Sequence, residues 1–363
     1  RQISFVALIL ILSHPLLLFI FSPQTLALLN IFTAPWRARF AVVAVLSLIG
    51  LVVFSLWRKK FKIDYYNWRI WHGILSVVAV GAALVHVEMA GYYVSTPLKK
   101  ALWIVYAVFW IGLLVYTRLI KPWWLIKHPY RVMEVKEERG NTWSLIVEPV
   151  GHKGIRFHPG QFCWINLGSS PFSEKEHPFS ISSSAAKPGQ ISFTIKELGD
   201  FTRTIRHTRV GETVYIDGPY GAFTTERHTH AHEFIFIAGG VGITPIMSIL
   251  RTMADRGETR KLVLFYANRD WESITFREEI EALKTKLDLQ VNHVLEKPPQ
   301  NWEGKSGYLN KEMLEEFIPP GLPHNRVEVF LCGPPPMMRA VNRLIREIGI
   351  WPGDYHYERF DLV

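Results

Sequence analysis

Cysteine is scarce in this sequence: Cys163 and Cys332 are the only two among 363 residues, lie far apart, and imply no disulfide framework. No initiator methionine opens the chain, and nothing resembling a cleavage site follows its first apolar run. That run therefore reads as a retained helix of an N-terminally truncated sequence rather than a removed signal. Charge is sparse from residue 1 to about 120, where several long apolar runs succeed one another, and such a series points to a bilayer rather than a globular core. The net charge of +9 does not make a nucleic-acid surface. Much of the basic excess lies in short clusters beside the apolar runs, where membrane orientation requires it.

Four segments are long enough to span a hydrocarbon core of about 30 Å at ~1.5 Å per residue: residues 2–22, 39–57, 68–90 and 98–118. The connection carrying Arg58, Lys59, Lys60, Lys62 and Arg69 is strongly basic, as is the exit with Arg118, Lys121, Lys127 and Arg131. The other two connections hold only Arg37 with Arg39 and Lys99 with Lys100. The positive-inside rule then makes the basic connections and the C-terminal half cytoplasmic, with His14 and His86 toward the outer face. The expected location is the plasma (bacterial inner) membrane.

Of fourteen histidines only His14, His72 and His86 fall within spans, where ionisable groups are costly and usually functional. His72 and His86 are fourteen positions apart, close to four helical turns, so they share a face at about 21 Å axial separation. That spacing suits axial ligands of two stacked haems. The partner of His14 at the same spacing would be the residue before Arg1. His128, among Trp123, Trp124 and Pro129, reads as an interfacial linker residue.

From about Tyr130 short strands are expected at 131–135, 143–147, 160–167, 191–196 and 213–217, a small antiparallel barrel punctuated by Gly, Pro and Ser. Within it stand His177-Pro178-Phe179-Ser180, then Gly199-Asp200-Phe201-Thr202-Arg203 opening a helix, then Gly218-Pro219-Tyr220-Gly221 as a turn. Phe179 can lie against an isoalloxazine and Ser180 can bond its edge, while glycine turns and helix starts offer N–H groups to a pyrophosphate. Strand and helix then alternate: strand 233–238, the turn Gly239-Gly240-Val241-Gly242-Ile243-Thr244-Pro245, a helix through Arg256, strand 261–267, a helix over 271–283, and strand 327–331 leading into Cys332-Gly333-Pro334-Pro335-Pro336. The turn after 238 is not the Gly-x-Gly-x-x-Gly fingerprint, but a glycine turn after a buried strand lets a dinucleotide approach the backbone. Arg269, following the second of these strands, is suited to a ribose 2′-phosphate.

His-Pro-Phe-Ser at 177–180, Gly-Asp-Phe-Thr at 199–202, Gly-Gly-Val-Gly-Ile-Thr-Pro at 239–245 and Cys-Gly-Pro-Pro-Pro-Met at 332–337, taken with the membrane histidines, resemble the ferric reductase and NADPH oxidase superfamily over essentially the whole chain. The resemblance implies a multi-domain protein: an α-helical transmembrane haem bundle over 1–118, a linker over 119–129, an antiparallel β-barrel FAD domain over 130–226, and an α/β parallel-sheet NADP domain over 227–363. It implies six spans, of which four are present. Two b-type haems would be ligated by His14 with His86, and by His72 with the missing residue. FAD would be held by His177, Pro178, Phe179, Ser180, Lys196, Gly199, Phe201, Thr202, Gly218 and Gly221. NADPH would be held by Gly239, Gly240, Gly242, Thr244, Pro245, Arg269, Cys332, Gly333 and Pro334. Phe360, Ser180 and Cys332 would stand closest to hydride transfer. Phe360 fits the family's flavin-covering aromatic although Asp361, Leu362 and Val363 follow it, with Tyr357 as the alternative.

The activity so implied is electron transfer from NADPH through FAD and haem to an outer acceptor. O2 is the first choice, giving superoxide, and a ferric chelate is the alternative. A flavin is needed because nicotinamide gives two electrons and haem accepts one. No obligatory protein partner is evident. A reading from another class is a membrane-anchored flavin reductase serving a protein partner without haem. A third is a metal site of His228, His230 and His232, against which stands an ordinary solvated loop.

Overall fold

The computed structural model of the protein describes residues 2–173, 175–187, 189–318 and 326–360, so Asp361, Leu362 and Val363 fall outside the described residues. The chain divides into two compact units, Arg1–Trp123 with Phe172–Lys175, and Trp124–Pro171 with Glu176–Val363.

The first unit is helical: α1 (Gln2–Phe21), α2 (Trp36–Leu56), α3 (Tyr65–Ala90) and α4 (Pro97–Val115). Local chemistry sets the ends. Asp64 caps α3 by accepting the backbone N–H groups of Tyr66 and Asn67, and Gly91 closes it in the left-handed region at φ 73°. Thr96 caps α4, with Pro97 in its first turn. Three helical stretches, Trp36–Leu56, Tyr65–Ala90 and Pro97–Lys127, are long and apolar enough to cross a membrane, while Phe5–Phe21 is a shorter apolar helix. On α4 the large side chains Leu102, Val105 and Phe109 are 62%, 66% and 60% exposed, a stripe suited to hydrocarbon rather than water. The segment expected as a linker over 119–129 is largely helix. After a π turn at Tyr116–Ile120 the chain continues as α5 (Lys121–Lys127), because Leu119, Ile120 and the Trp123–Ile126 run keep it apolar and helix-compatible.

The second unit begins with the barrel. Its strands are β1 (Tyr130–Glu138), β2 (Thr142–Pro149), β3 (Phe162–Leu167), β4 (His177–Ser180), β5 (Ile191–Lys196) and β6 (Thr213–Tyr220), with the one-turn helix α6 (Asp200–Thr204) between β5 and β6. The order is β4-β3-β6-β1-β2-β5, every pairing is antiparallel, and a bridge from Ile181 to Phe193 draws the two edges together. Inward side chains from all the longer strands, among them Val132, Leu145, Val147, Cys163, Ile165, Phe193, Ile195 and Val214, fill the interior. The expected turn at 218–221 is different: Gly218 to Tyr220 extend β6, pairing Tyr220 with Phe162.

The remainder is a parallel sheet of order β10-β9-β8-β7-β11-β12. It comprises β7 (Glu233–Gly239), α7 (Ile243–Arg256), β8 (Lys261–Asn268), α8 (Arg277–Leu283), β9 (Leu289–Leu295), β10 (Lys305–Ser306), α9 (Lys311–Glu315), β11 (Val327–Cys332), α10 (Pro335–Ile348) and β12 (Tyr355–Glu358). Both faces are covered, so its central strands are continuous apolar runs rather than alternating ones. Phe234, Phe236 and Leu264 face α7 and α8, while Ile235, Ile237 and Phe265 face α9 and α10. The helix expected over 271–283 starts only at Arg277. Asp270 folds the preceding turn by accepting the Ser273 N–H at 2.9 Å, and Phe276 takes a left-handed φ of 61°.

Candidate functional site

In this sheet β7 has its sequential successor β8 on one side and β11 on the other. Strand order thus reverses between β7 and β11, and ligands bind at the carboxyl ends of strands at such a switch point. Two of the sequence motifs meet there, and the glycines explain how. A Cβ on Gly242 would lie 2.3 Å from the Cys332 carbonyl oxygen, and one on Gly239 would lie 2.4 Å from Met337 Sδ and 2.8 Å from Pro334. Gly239 and Gly242 are therefore glycine so that the β7 turn can press against the Cys332-Gly333-Pro334 turn. Gly240 differs, at φ 53° with open space where a Cβ would be. It is the member of the trio that leaves its backbone approachable. Thr244 and Pro245 are buried in the first turn of α7, where Thr244 Oγ1 donates to the Val241 carbonyl at 2.7 Å.

The barrel and the sheet enclose a cleft of about 390 Å³. The barrel contributes Phe162, Trp164, Pro178, Phe179, Ser180, Thr194, Ile195, Lys196, Leu198 and Thr202; the sheet contributes Val241, Thr244, Glu358, Arg359 and Phe360. Cross-links hold the two walls in register. Arg251 on α7 donates to the Ser182 carbonyl at 2.5 Å and pairs with Glu279 at 2.6 Å, Ser248 donates to the Ser183 carbonyl at 2.7 Å, and Arg139 pairs with Glu278 at 2.7 Å.

Within the cleft one polar group lacks what burial demands. Ser180 is 4% exposed and its Oγ has no hydrogen-bond partner among the described residues. An orphaned hydroxyl costs roughly 1–3 kcal/mol, so its position fits a ligand that supplies the partner. Thr202 Oγ1 is already engaged, accepting the N–H groups of Leu198 at 2.9 Å and Gly199 at 2.8 Å, and so shapes the start of α6. His177 and Phe201 stack on each other at 3.7 Å between centroids and support the wall from behind. Gly218 lies against Cys163 and Gly221 against the Phe162 ring, both shaping the end of β6.

β12 sends alternate residues to opposite faces. Glu358 and Phe360 enter the cleft, whereas Tyr357 joins Arg339, Arg343 and Arg346 of α10. Phe360 rather than Tyr357 is therefore the aromatic that lines the cleft. Cys332 is fully buried, is not among the lining side chains, and pairs in register with Glu358. Burial pushes its thiol far above the ordinary range, so it is neutral. Glu358 escaped the sequence reading: burial pushes its carboxyl up to about 7, which makes it the group of the cleft that titrates near neutrality. The signal for it was an acidic residue two positions before the terminal aromatic. Arg269 is exposed just past β8, its carbonyl accepting the Lys297 N–H at 2.7 Å.

In the helical unit His72 and His86 both turn toward α2. His72 Nδ1 lies 3.3 Å from Ser55 Oγ, and His86 Nδ1 lies 2.8 Å from the Arg37 carbonyl oxygen. The partner is a hydroxyl for His72 and a backbone carbonyl for His86. His14 is exposed on α1. Of the three histidines between barrel and sheet, His228 alone meets other ligand-type side chains among the described residues, Glu328 and His356, while His230 and His232 are exposed.

Comparison with known proteins agrees with this architecture. Residues 151–224 match the model of an FAD-binding domain, and residues 236–343 match that of an oxidoreductase NAD-binding domain. NADH-cytochrome b5 reductase 1 of Pyricularia oryzae is 31% identical over 169 residues, covering 45% of this chain and 54% of that protein. The toluate 1,2-dioxygenase electron transfer component of Pseudomonas putida is 28% identical, covering 63% and 66%. The chain thus spans about half to two thirds of the length of these relatives. Among solved structures, a ferredoxin NADP+ reductase from Neisseria gonorrhoeae with bound FAD and NADP shares the fold at a TM-score of 0.55 and 18% identity, over 64% of this chain and 97% of that one. The C-terminal part of the chain therefore matches an FAD-binding domain followed by an oxidoreductase NAD-binding domain, and shares its fold with that reductase.

Proposed function

We propose that the protein is a membrane-anchored flavin reductase, which takes hydride from a nicotinamide nucleotide and passes single electrons to an acceptor. The observation that carries this reading is the cleft between barrel and sheet, with the orphaned Ser180 hydroxyl on one wall and Phe360 on the other. Bound FAD would supply the conversion of an electron pair into single electrons. Phe179, Ser180, Lys196 and Thr202 form the wall that would hold it, Ser180 donating or accepting at its edge. Gly240 leaves the backbone before α7 approachable by the nucleotide. Phe360 excludes water from the cleft until nicotinamide takes its place. Glu358, half-neutral near pH 7, is positioned to hold or release a proton there. Three apolar helices long enough to cross a bilayer, with basic flanks, support the anchor and a cytoplasmic position for both nucleotide domains.

The names of the relatives, a cytochrome b5 reductase and an electron transfer component of a dioxygenase, favour a protein acceptor. A second reading is favoured by α3: His72 and His86 stand on one stripe with Nδ1 engaged, so b-type haem bound through Nε2 would carry the electrons through the membrane to O2 or a ferric chelate. The visible spectrum of the protein purified from membranes and reduced with NADPH separates them. A b-type α band supports the haem path, and bleached flavin without that band supports the protein acceptor. On the haem reading His86→Leu removes one haem while NADPH still reduces the flavin. Undiminished haem in that variant contradicts ligation by His86.

NADPH rather than NADH is the proposed donor, through Arg269. Because this guanidinium is exposed, its contact with a 2′-phosphate is expected to contribute only about 1 kcal/mol, so Arg269→Ala should raise KM for NADPH about fivefold and leave NADH unchanged. Equal effects on the two nucleotides would remove Arg269 as the phosphate reader.

A further inference from the structure

We propose that His228, Glu328 and His356 form a binding site for one divalent metal ion of the zinc class. Three separate segments bring them together: the turn after Thr225–Arg227, the start of β11, and β12. His228 Nδ1 lies 3.1 Å from Glu328 Oε1, His356 Nε2 lies 2.7 Å from Glu328 Oε2, and one ligand atom from each residue falls within 4.8 Å of the others. A cation held at about 2.0–2.2 Å from each donor needs donors roughly 3–4 Å apart, which small side-chain rotations provide. Two imidazoles and one carboxylate are a donor set zinc accepts, with a further position left to water. Water can reach it, since the imidazole side chains remain 18% and 20% exposed.

The carboxylate is the reason to expect a cation. Glu328 is 3% exposed, with the rings of His228 and His356 both against Phe330 beside it, and a buried carboxylate is costly without positive charge. Protonation of the imidazoles is the competing source of that charge. At His228 it is opposed by burial and by His356 beside it, although Glu328 and Asp354 draw it the other way, and its proton affinity is lowered on balance. Neutral imidazole is the form a metal requires. On binding, each ring moves its proton to the nitrogen not facing Glu328. The site ties the chain between barrel and sheet to β12, two residues before Glu358 and four before Phe360. Metal binding would therefore fix the strand from which the cleft's aromatic projects.

The test is calorimetric titration of zinc chloride into the untagged, chelator-treated full chain in detergent, beside His228→Gln, His356→Gln and His230→Gln. One saturable site is expected in wild type and in His230→Gln. Each of the other two variants should weaken it at least about 100-fold, the upper end of what losing even an outer-shell partner costs. Zinc should also raise the unfolding temperature of wild type but not of those two variants. Absence of a saturable site in wild type, or undiminished binding in both His228→Gln and His356→Gln, overturns the proposal. Folding of the variants is checked by circular dichroism, and Gln at these partly exposed positions keeps the hydrogen bond to Glu328.

Discussion

Gly242→Ala is expected to destabilise the nucleotide domain by about 3 kcal/mol, the upper range of overpacking in a well-filled interior, and to abolish nucleotide binding with it. The cause is not backbone strain, since Gly242 has an ordinary helical φ of −62°. Its missing Cβ is where the Cys332 carbonyl oxygen sits, at 2.3 Å, with the Cys332 carbonyl carbon at 2.6 Å and Gly333 Cα at 2.8 Å. All three obstacles are backbone at the end of a central strand, so relief requires β7 and β11 to separate at the switch point. Gly240→Ala makes the control. It meets no neighbour but must hold φ 53°, which costs an alanine about 1–2 kcal/mol. Chemical denaturation of the two variants checks the order. A Gly242→Ala protein as stable as Gly240→Ala would show that the two turns do not touch.

Phe360→Ser should tighten binding of nicotinamide about tenfold, equivalent to ~1.4 kcal/mol, and lower turnover. The ring occupies the cleft opposite Ser180 and is 44% exposed, so it is removable without a large hole in the fold. In the proposed function it covers the flavin and competes with nicotinamide, so its removal should strengthen the ground-state complex and the product complex alike. Tighter product retention slows release, so a stronger long-wavelength charge-transfer band should accompany the lower kcat. Tyr357→Ser should alter neither, because that ring stands on the other face of β12. Unchanged nicotinamide affinity in Phe360→Ser would assign the covering role elsewhere.

The sequence and the structure agree where patterning is strong. Buried parallel strands such as Glu233–Gly239 are unbroken apolar runs, and the barrel strands alternate, so both were legible. Strands β9 and β12 were not. Leu-Gln-Val-Asn-His-Val-Leu mixes polar residues into its run, and Tyr-His-Tyr-Glu is a four-residue edge strand with an ordinary loop composition. Missing β12 also hid Glu358 and the meeting of His356 with Glu328, since a pairing between positions 328 and 356 leaves no local signal. Gly218-Pro219 reads as a turn on composition alone, yet β3 supplies partners on either side of the pair, Trp164 for Asp217 and Phe162 for Tyr220. The glycine motifs were legible as motifs but not as reasons. The packing of Gly239 and Gly242 on the Cys332 turn, and the left-handed φ of Gly240, are what distinguish them.

In the proposed function this cleft brings nicotinamide and flavin together for hydride transfer. The most direct test is anaerobic mixing of the FAD-loaded full chain with NADPH, and separately with NADH, while the visible absorption of the flavin is followed. The band should bleach with saturable dependence on nucleotide, and Ser180→Ala should slow the bleaching while leaving nucleotide affinity nearly unchanged. Flavin that stays oxidised in the presence of bound nucleotide would show that hydride does not pass between them in this cleft.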